Sequence, residues 1–249
     1  MNQRMQKALY DCQNHQIGLD DTFSFKCRAC GRCCENRDDI LLTARDLFNI
    51  AQFFSKKPGE IVARYCKVYT AESSRIPVIR LKPRGPENVC PLLLKKRCVV
   101  QSVKPVVCAL HPIGRAAILP QETAQAEISE DILSGYFLPP VKCGSRTETN
   151  TVRNWLGQFG IPLQDEFFSL WTSLIIYLSE YFTQLEAHNT ADDVIKYLRS
   201  AALDLLYLCY DTGAEFMPQF RTIVSEMKNF FTQNQNIHIQ TAEGISDGE

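Results

Sequence analysis

The chain has 249 residues, 27 Lys+Arg against 28 Asp+Glu, a formal net charge of −1 and a 45% hydrophobic share. That length suits one domain, or a domain with an attached module, and the composition excludes a wholly disordered chain. The near-balance of charge argues against a dedicated nucleic-acid or membrane-surface binder.

Residues 1–22 are expected as an N-terminal helical segment, and residues 23–149 as a cysteine-rich domain broken into short pieces. Thr43 with Asp46 three residues on resembles a capping box, and Leu47, Ile50, Ala51 and Phe54 follow at helical spacing. Pro58 suits the first turn of a second helix carrying Ile61, Val62 and Tyr65. Ile76 to Lys82 alternates like a short strand. Leu92-Leu93-Leu94, the polar Lys95-Lys96-Arg97 and then Val99-Val100 read as a small hairpin bracketed by Cys90 and Cys98.

Near residue 150 the pattern turns helical, and residues 150–232 are expected as a helical module. Phe167, Phe168, Trp171, Leu174, Ile175, Leu178, Tyr181, Phe182 and Leu185 keep three-and-four spacing, which points to core packing rather than a ligand box. Thr190 with Asp193 predicts the start of a helix through Val194, Leu198, Ala201, Leu205 and Leu208, ended by Gly213. A third helix carries Phe216, Phe220, Ile223, Val224, Met227, Phe230 and Phe231. Residues 233–249 are polar and expected as a disordered tail. The fold class is therefore α+β, mainly α: a loop-rich cysteine-cluster domain with short strands and a hairpin, then a helical module.

Eleven cysteines carry the chemical information, and nine of them lie between Cys27 and Cys143. The opening Met1-Asn2-Gln3-Arg4-Met5-Gln6-Lys7 lacks the apolar stretch of a signal peptide, and no uncharged apolar run approaches the roughly 18 residues of a membrane span. A cytoplasmic protein with reduced thiols is expected, so clustered cysteine reads as metal binding or redox chemistry.

Cys27-x-x-Cys30-x-x-Cys33-Cys34 places three thiols at two-residue intervals, as ferredoxin-type cluster loops do, with a fourth ligand from elsewhere. Gly31 relieves crowding where the backbone folds round the metal. The side chains of adjacent Cys33 and Cys34 diverge, so the pair serves different centres or one of the two is not a ligand. Cys90, Cys98, Cys108 and Cys143 bring the candidates to eight, enough for two four-thiolate sites. His111 is able to replace a thiolate, and Cys66 is the further candidate; Cys12 and Cys209 read as ordinary thiols. Zinc favours Cys-x(2–4)-Cys pairs, whereas three evenly spaced thiols plus a distant one suit a cubane, so an iron–sulfur cluster of the 4Fe–4S type is expected over zinc.

These residues resemble the YkgJ-type cysteine-cluster family, the zinc- or iron-chelating CxxCxxCC domain. The likeness rests on Cys27-x-x-Cys30-Gly31-x-Cys33-Cys34, Leu42-Thr43-x-x-Asp46, Leu81-Lys82, Cys90-Pro91-Leu92, Cys98-Val99-Val100 and Lys104-Pro105-x-x-Cys108 followed by Pro112. It covers roughly residues 23–146. The family's eight cysteines correspond to Cys27, Cys30, Cys33, Cys34, Cys90, Cys98, Cys108 and Cys143. Lys104 stands where the family usually has Arg, and His111 where an aromatic is usual. Flagellin lysine N-methylases are the best-known members, and their cysteine domain is understood to carry an iron–sulfur cluster.

Three functions follow: an iron–sulfur protein in redox or cluster-assisted chemistry; a lysine N-methyltransferase acting on a protein such as flagellin, implied by the resemblance; and a non-enzymatic zinc-stabilised interaction module. A protein substrate or redox partner is the expected partner class. No Gly-x-Gly-type loop after a strand offers a conventional adenosylmethionine site. Residues 75–115 hold nine Lys/Arg and one acidic residue, Glu87, a local excess that offsets the charge of a thiolate cluster.

Overall fold

The computed structural model describes residues 3–119 and 132–243. Helix α1 (Gln3–Asn14) leads to strand β1 (Thr22–Lys26), whose alternation buries Phe23 and Phe25 on one face. A 3₁₀ turn at Arg32–Cys34 and the short β2 (Leu41–Leu42) precede α2 (Ala44–Phe53). The predicted capping box is present: Asp46 N–H donates to Thr43 Oγ1 at 3.1 Å, and Thr43 N–H donates to Asp46 Oδ2 at 3.0 Å. Pro58 opens α3 (Pro58–Tyr65), which runs into β3 (Cys66–Thr70) and β4 (Pro77–Leu81). These strands form an antiparallel sheet in the order β2-β4-β3, with Leu42, Ile79 and Leu81 turned into the core.

A hairpin forms between Cys90 and Cys98 as expected, but its second arm is shifted: β5 (Leu93–Leu94) pairs with β6 (Arg97–Cys98), so Arg97 is in the strand, not the turn, and Val99–Val100 lie beyond it. Its two-residue turn holds Lys95 and Lys96 at φ 47° and 63°. Asn and Gly are the usual residues in such a turn because both positions are left-handed. Helix α4 (Val106–Leu110) and the antiparallel pair β7 (Gly114–Ile118) and β8 (Leu133–Phe137) follow. Strand β9 (Ser145–Thr151) then pairs antiparallel with β1, and Thr151 caps α5 (Val152–Gln158) by accepting from Asn154 N–H at 3.1 Å. The β1–β9 ribbon is absent from the sequence-based expectations, because Ser145–Thr151 is polar throughout and its partner lies more than a hundred residues away.

The rest is helical: α6 (Glu166–Ala187), α7 (Asp192–Leu203) and α8 (Phe216–Glu243). Ala191, not Thr190, is the N-cap of α7, and Asp192 and Asp193 occupy its first turn, where the helix dipole favours acidic groups. The helix gives way to a π turn at Asp204–Leu208 well before Gly213, with adjacent Leu206 and Tyr207 both buried. Backbone helix in α8 continues past Gln233, where polar composition predicts the tail; residues 244–249 lie outside the described residues. The fold is α+β and mainly helical. No helix among the described residues is long and apolar enough to cross a membrane.

Two apolar clusters position the site. The larger joins Leu47, Ile50, Ile79, Leu92 and Val100 to Leu174, Leu178, Phe182, Leu198, Phe220 and Met227, so the front half and the long helices share one core. The smaller gathers Phe23, Phe25, Leu110, Ile113, Tyr136, Val152, Trp155 and Leu156, with Cys143 against it. Trp155 Nε1–H donates to the Leu110 carbonyl at 3.0 Å, tying α5 to α4. Asp165 receives Arg45 of α2 at 2.8 Å and Arg115 of β7 at 3.1 Å. This buried carboxylate thereby ties the start of α6 to both neighbours.

Candidate metal centre

The Cys27–Cys34 loop leaves the end of β1 and must reverse within eight residues. Ala29 (φ 48°) and Gly31 (φ 77°) take left-handed backbone to do so, and Cys34 N–H then donates to the Gly31 carbonyl at 2.8 Å. At Gly31 the requirement is conformational rather than spatial, since an added Cβ would meet Leu93 at 3.5 Å, ordinary contact. Cys33 and Cys34 share the 3₁₀ turn with their sulfurs 3.9 Å apart, so these adjacent side chains meet and do not diverge as expected. Cys27 is exposed, and the other seven thiols of the eight are half-buried.

Backbone hydrogen bonds bring the later cysteines to this loop. Asn36 N–H donates to the Glu87 carbonyl at 3.0 Å, Arg37 N–H to Asn88 at 3.2 Å, and Cys90 N–H to Cys34 at 2.8 Å. The hairpin carrying Cys98 starts here, for Leu93 N–H donates to the Cys90 carbonyl at 3.1 Å and Leu93 pairs with Cys98. Cys108 sits in α4, whose first N–H, from Val106, donates to Asp46 Oδ1 at 2.8 Å. The capping carboxylate of α2 thus also holds the helix that presents Cys108.

Cys143 arrives by a different route. The register Lys26↔Ser145 sets the Cys143 turn beside the start of the Cys27 loop. Gly144 (φ 75°) makes that approach possible: an added Cβ would lie 2.4 Å from Phe25 Cε2 and 2.9 Å from the Lys26 carbonyl oxygen. His111 Nε2 stands 3.0 Å from Cys143 Sγ, and its ring meets Phe25 edge-on at 5.7 Å.

The electrostatics follow from burial and from two cations. Burial pushes the Cys108 thiol up to about 12; Arg37 pulls against it, while nearby Cys90, Asp46 and Cys98 add to the rise. Cys90, Cys98 and Cys143 are raised chiefly by the same desolvation. Cys33 is held below the ordinary thiol range by its contact with Cys34, helped by Arg37 and Lys104, while Cys34 is driven up. Burial, then Arg37 and Lys104, depresses His111 to about 4, so its imidazole is neutral at physiological pH and able to ligate. Arg37 is fixed by Asp39 at 2.5 Å and by the Cys33 carbonyl at 3.3 Å. Lys104 leans over the Phe159 ring at 4.3 Å. Cys66 opens β3, and burial alone raises it to about 12; no neighbouring thiol contributes, which sets it apart from the eight.

Of the basic residues between 75 and 115, Arg75, Arg80 and Arg115 pair with Glu186, Asp38 and Asp165 rather than with thiols. Arg37, outside that stretch, is the cation that sequence reasoning missed. Its reach depends on the fold of the 34–37 segment against residues 87–90.

The donor set is eight soft sulfurs and one neutral imidazole, beside two cations that offset thiolate charge. That chemistry suits zinc or an iron–sulfur cluster and disfavours the hard cations that prefer oxygen. The side chains are gathered but not closed: among the described residues, no group of three or more His, Cys, Asp or Glu stands in an arrangement that could hold a metal ion.

Residues 26–130 match the family model CxxCxxCC, described as a putative zinc- or iron-chelating domain. This is the family that the cysteine spacing resembles, and the match supports metal binding. The matched segment includes His111 and seven of the eight cysteines, and it ends before Cys143. No curated protein and no solved structure matches the chain.

Proposed function

Residues 26–130 match the CxxCxxCC family model, described as a putative zinc- or iron-chelating domain, and from that match we propose that this protein carries an iron–sulfur cluster of the 4Fe–4S type. The donors are drawn from Cys27, Cys30, Cys33, Cys34, Cys90, Cys98, Cys108 and Cys143, with His111 as the auxiliary donor. The observation that carries the reading is the approach of thiols from four separate stretches of chain, with Arg37 or Lys104 acting on Cys33, Cys90, Cys98 and Cys108. When bound, such a cluster supplies one-electron redox chemistry or a Lewis-acidic iron.

The protein's own residues have definable tasks. Arg37 and Lys104 stabilise thiolate over thiol, which lowers the proton release that accompanies metal loading. Burial of Cys90, Cys98 and Cys108 keeps water from the sulfurs. Asp46 and Gly144 act as positioning residues, the first for the Cys108 helix and the second for Cys143. A reducing, cytoplasmic setting and a redox partner or protein substrate complete this reading. Lysine methyl transfer is the enzymatic alternative and has support only in the family resemblance.

Zinc is the second reading, favoured by the contact of His111 Nε2 with Cys143 Sγ, because mixed Cys/His sets hold structural zinc. Metal and acid-labile sulfide analysis of protein purified without oxygen separates the two. Iron with matching sulfide and broad visible absorption is the expected result. Zinc without sulfide would overturn the cluster reading and leave a zinc-stabilised interaction module.

A further inference from the structure

The tip of the β5–β6 hairpin lies against the middle of the Cys27–Cys34 loop. A Cβ added at Gly31 would meet the Leu93 side chain at 3.5 Å and the Lys96 Cα at 3.9 Å. That contact brings five cations into one neighbourhood. Arg28 and Arg32 flank Gly31 in the loop, Lys95, Lys96 and Arg97 follow one another at the hairpin tip, and all five are exposed. Neither residues 27–34 nor residues 93–99 include an acidic or an aromatic side chain.

These charges are not used inside the protein. Among the described residues none of the five takes part in an ion pair, whereas Arg75, Arg80 and Arg115 of the same basic stretch are each paired. The cations acting most strongly on the thiols are Arg37, Arg84 and Lys104. Like charges held close together repel one another, so the cluster costs stability. The turn adds a second cost, because Lys95 and Lys96 both take left-handed backbone, where Asn and Gly fold more easily. Both costs fall on one exposed spot, and no ion pair among the described residues offsets them. They point to a role outside the chain.

The same hairpin exposes aliphatic surface beside the charges: Leu94, which pairs with Arg97, is 60% exposed, and Val99 is 39% exposed. A small apolar patch with a charged rim has the anatomy of a protein–protein contact. Single-stranded nucleic acid is held by aromatic stacking and lipid interfaces by aromatic anchors, and this surface has neither. We propose that the hairpin tip and the Cys27–Cys34 loop form one docking surface for a partner protein that presents a carboxylate-rich face with aliphatic side chains among its acids. The docked partner sits beside Cys27, which is exposed. The surface itself needs no metal; that the partner is served by a bound metal rests on the reading above.

The test measures binding of a fluorescent glutamate–leucine copolymer to the full chain by anisotropy, with metal content per chain recorded for every sample. Wild-type protein binds, and binding weakens as salt rises. K95E/K96E binds about tenfold more weakly at unchanged metal content, whereas K196E/K228E, the same charge change on exposed lysines of α7 and α8, binds as wild type does. Leu94→Ser weakens binding of the copolymer but not of poly-L-glutamate. Metal-free wild-type protein that still binds the copolymer supports the docking surface and overturns the metal-binding reading alone. The proposal is overturned if wild-type protein does not bind, if K95E/K96E and K196E/K228E weaken equally, or if Leu94→Ser binds the copolymer unchanged. Tighter binding of polyuridylate or of phosphatidylglycerol vesicles than of the copolymer overturns it too. A measurement without substitution covers the case of a misfolded variant. Carbodiimide coupling of the copolymer to wild-type protein, mapped by mass spectrometry, joins its carboxylates to lysine amines. Links at Lys95 and Lys96 support the surface, and links concentrated on Lys196 and Lys228 contradict it.

Discussion

The helical half and the cysteine-bearing end of this molecule are held together by different physics. The helices α6, α7 and α8 bury rings against rings: Phe167 meets Phe220 with centroids 4.8 Å apart, Phe216 meets Phe220 at 5.5 Å, and Tyr181 meets Phe231 at 5.0 Å. The cysteine-bearing end has short strands, two-stranded ribbons and left-handed backbone at Ala29, Gly31, Asn36, Asn88, Lys95, Lys96 and Gly144. Left-handed conformations at non-glycine residues are costly and persist only where the surroundings enforce them. Apolar burial orders the first region, in a core that Leu47, Ile79, Leu92 and Val100 of the front half share, whereas short ladders and left-handed turns shape the second.

The largest expected effect lies in the helical half. Phe182 is fully buried, and Phe182→Ala should cost about 3–5 kcal/mol in denaturant unfolding while leaving metal content per folded chain unchanged. Proportional loss of metal in the folded fraction would show that the two regions are not independent in this sense.

Asp165 joins the regions, so its loss sharpens the comparison. Asp165→Asn leaves Arg115, itself only 6% exposed, without its carboxylate, and should cost roughly 3 kcal/mol. Burial alone would raise this carboxyl, but the Arg45 hydrogen bond and the Arg45 and Arg115 charges outweigh burial and hold it below its ordinary 3.8. A depressed folded pKa stabilises the protein above 3.8, and that stabilisation disappears as the pH falls through the lower folded value. Wild-type protein should therefore lose stability in that acid range more steeply than Asp165→Asn, as measured by thermal unfolding against pH.

Gly144→Ala reverses the pattern of Phe182→Ala. A Cβ there collides with Phe25 and the Lys26 carbonyl in a left-handed backbone, so about 1–3 kcal/mol is lost, and Cys143 is displaced with a measurable fall in bound metal. Retained metal with unchanged affinity would contradict the assignment of Gly144 as a positioning residue. The smallest effect is Thr43→Ala, which removes half the capping box for about 1 kcal/mol. Asp46 keeps its bond to Val106 N–H in that variant, so metal content should hold.

Local patterns were legible in the sequence. The capping box at Thr43, Pro58 at the head of α3, the hairpin between Cys90 and Cys98 and the stripe of α6 each depend on residues a few positions apart, and the structure has all four. Gly31 is expected to relieve crowding around the metal, whereas the structure leaves ordinary space for a Cβ and needs the glycine for its left-handed backbone. What stayed hidden depends on distant partners. β9 is a polar strand whose identity comes from pairing with β1, the 111–143 contact requires that pairing, and Arg37 reaches the thiols only after the 34–37 segment docks on residues 87–90. The start of α7 was misplaced by one residue because Thr190 has the chemistry of a cap, yet the helix begins after Ala191.

The central claim is that these thiols converge on metal, and X-ray absorption at the metal edge of protein purified without oxygen tests it most directly. A first shell dominated by sulfur, at roughly 2.3 Å if the metal is zinc, is the result predicted here. A shell made only of nitrogen and oxygen would place the metal elsewhere on the chain and contradict it.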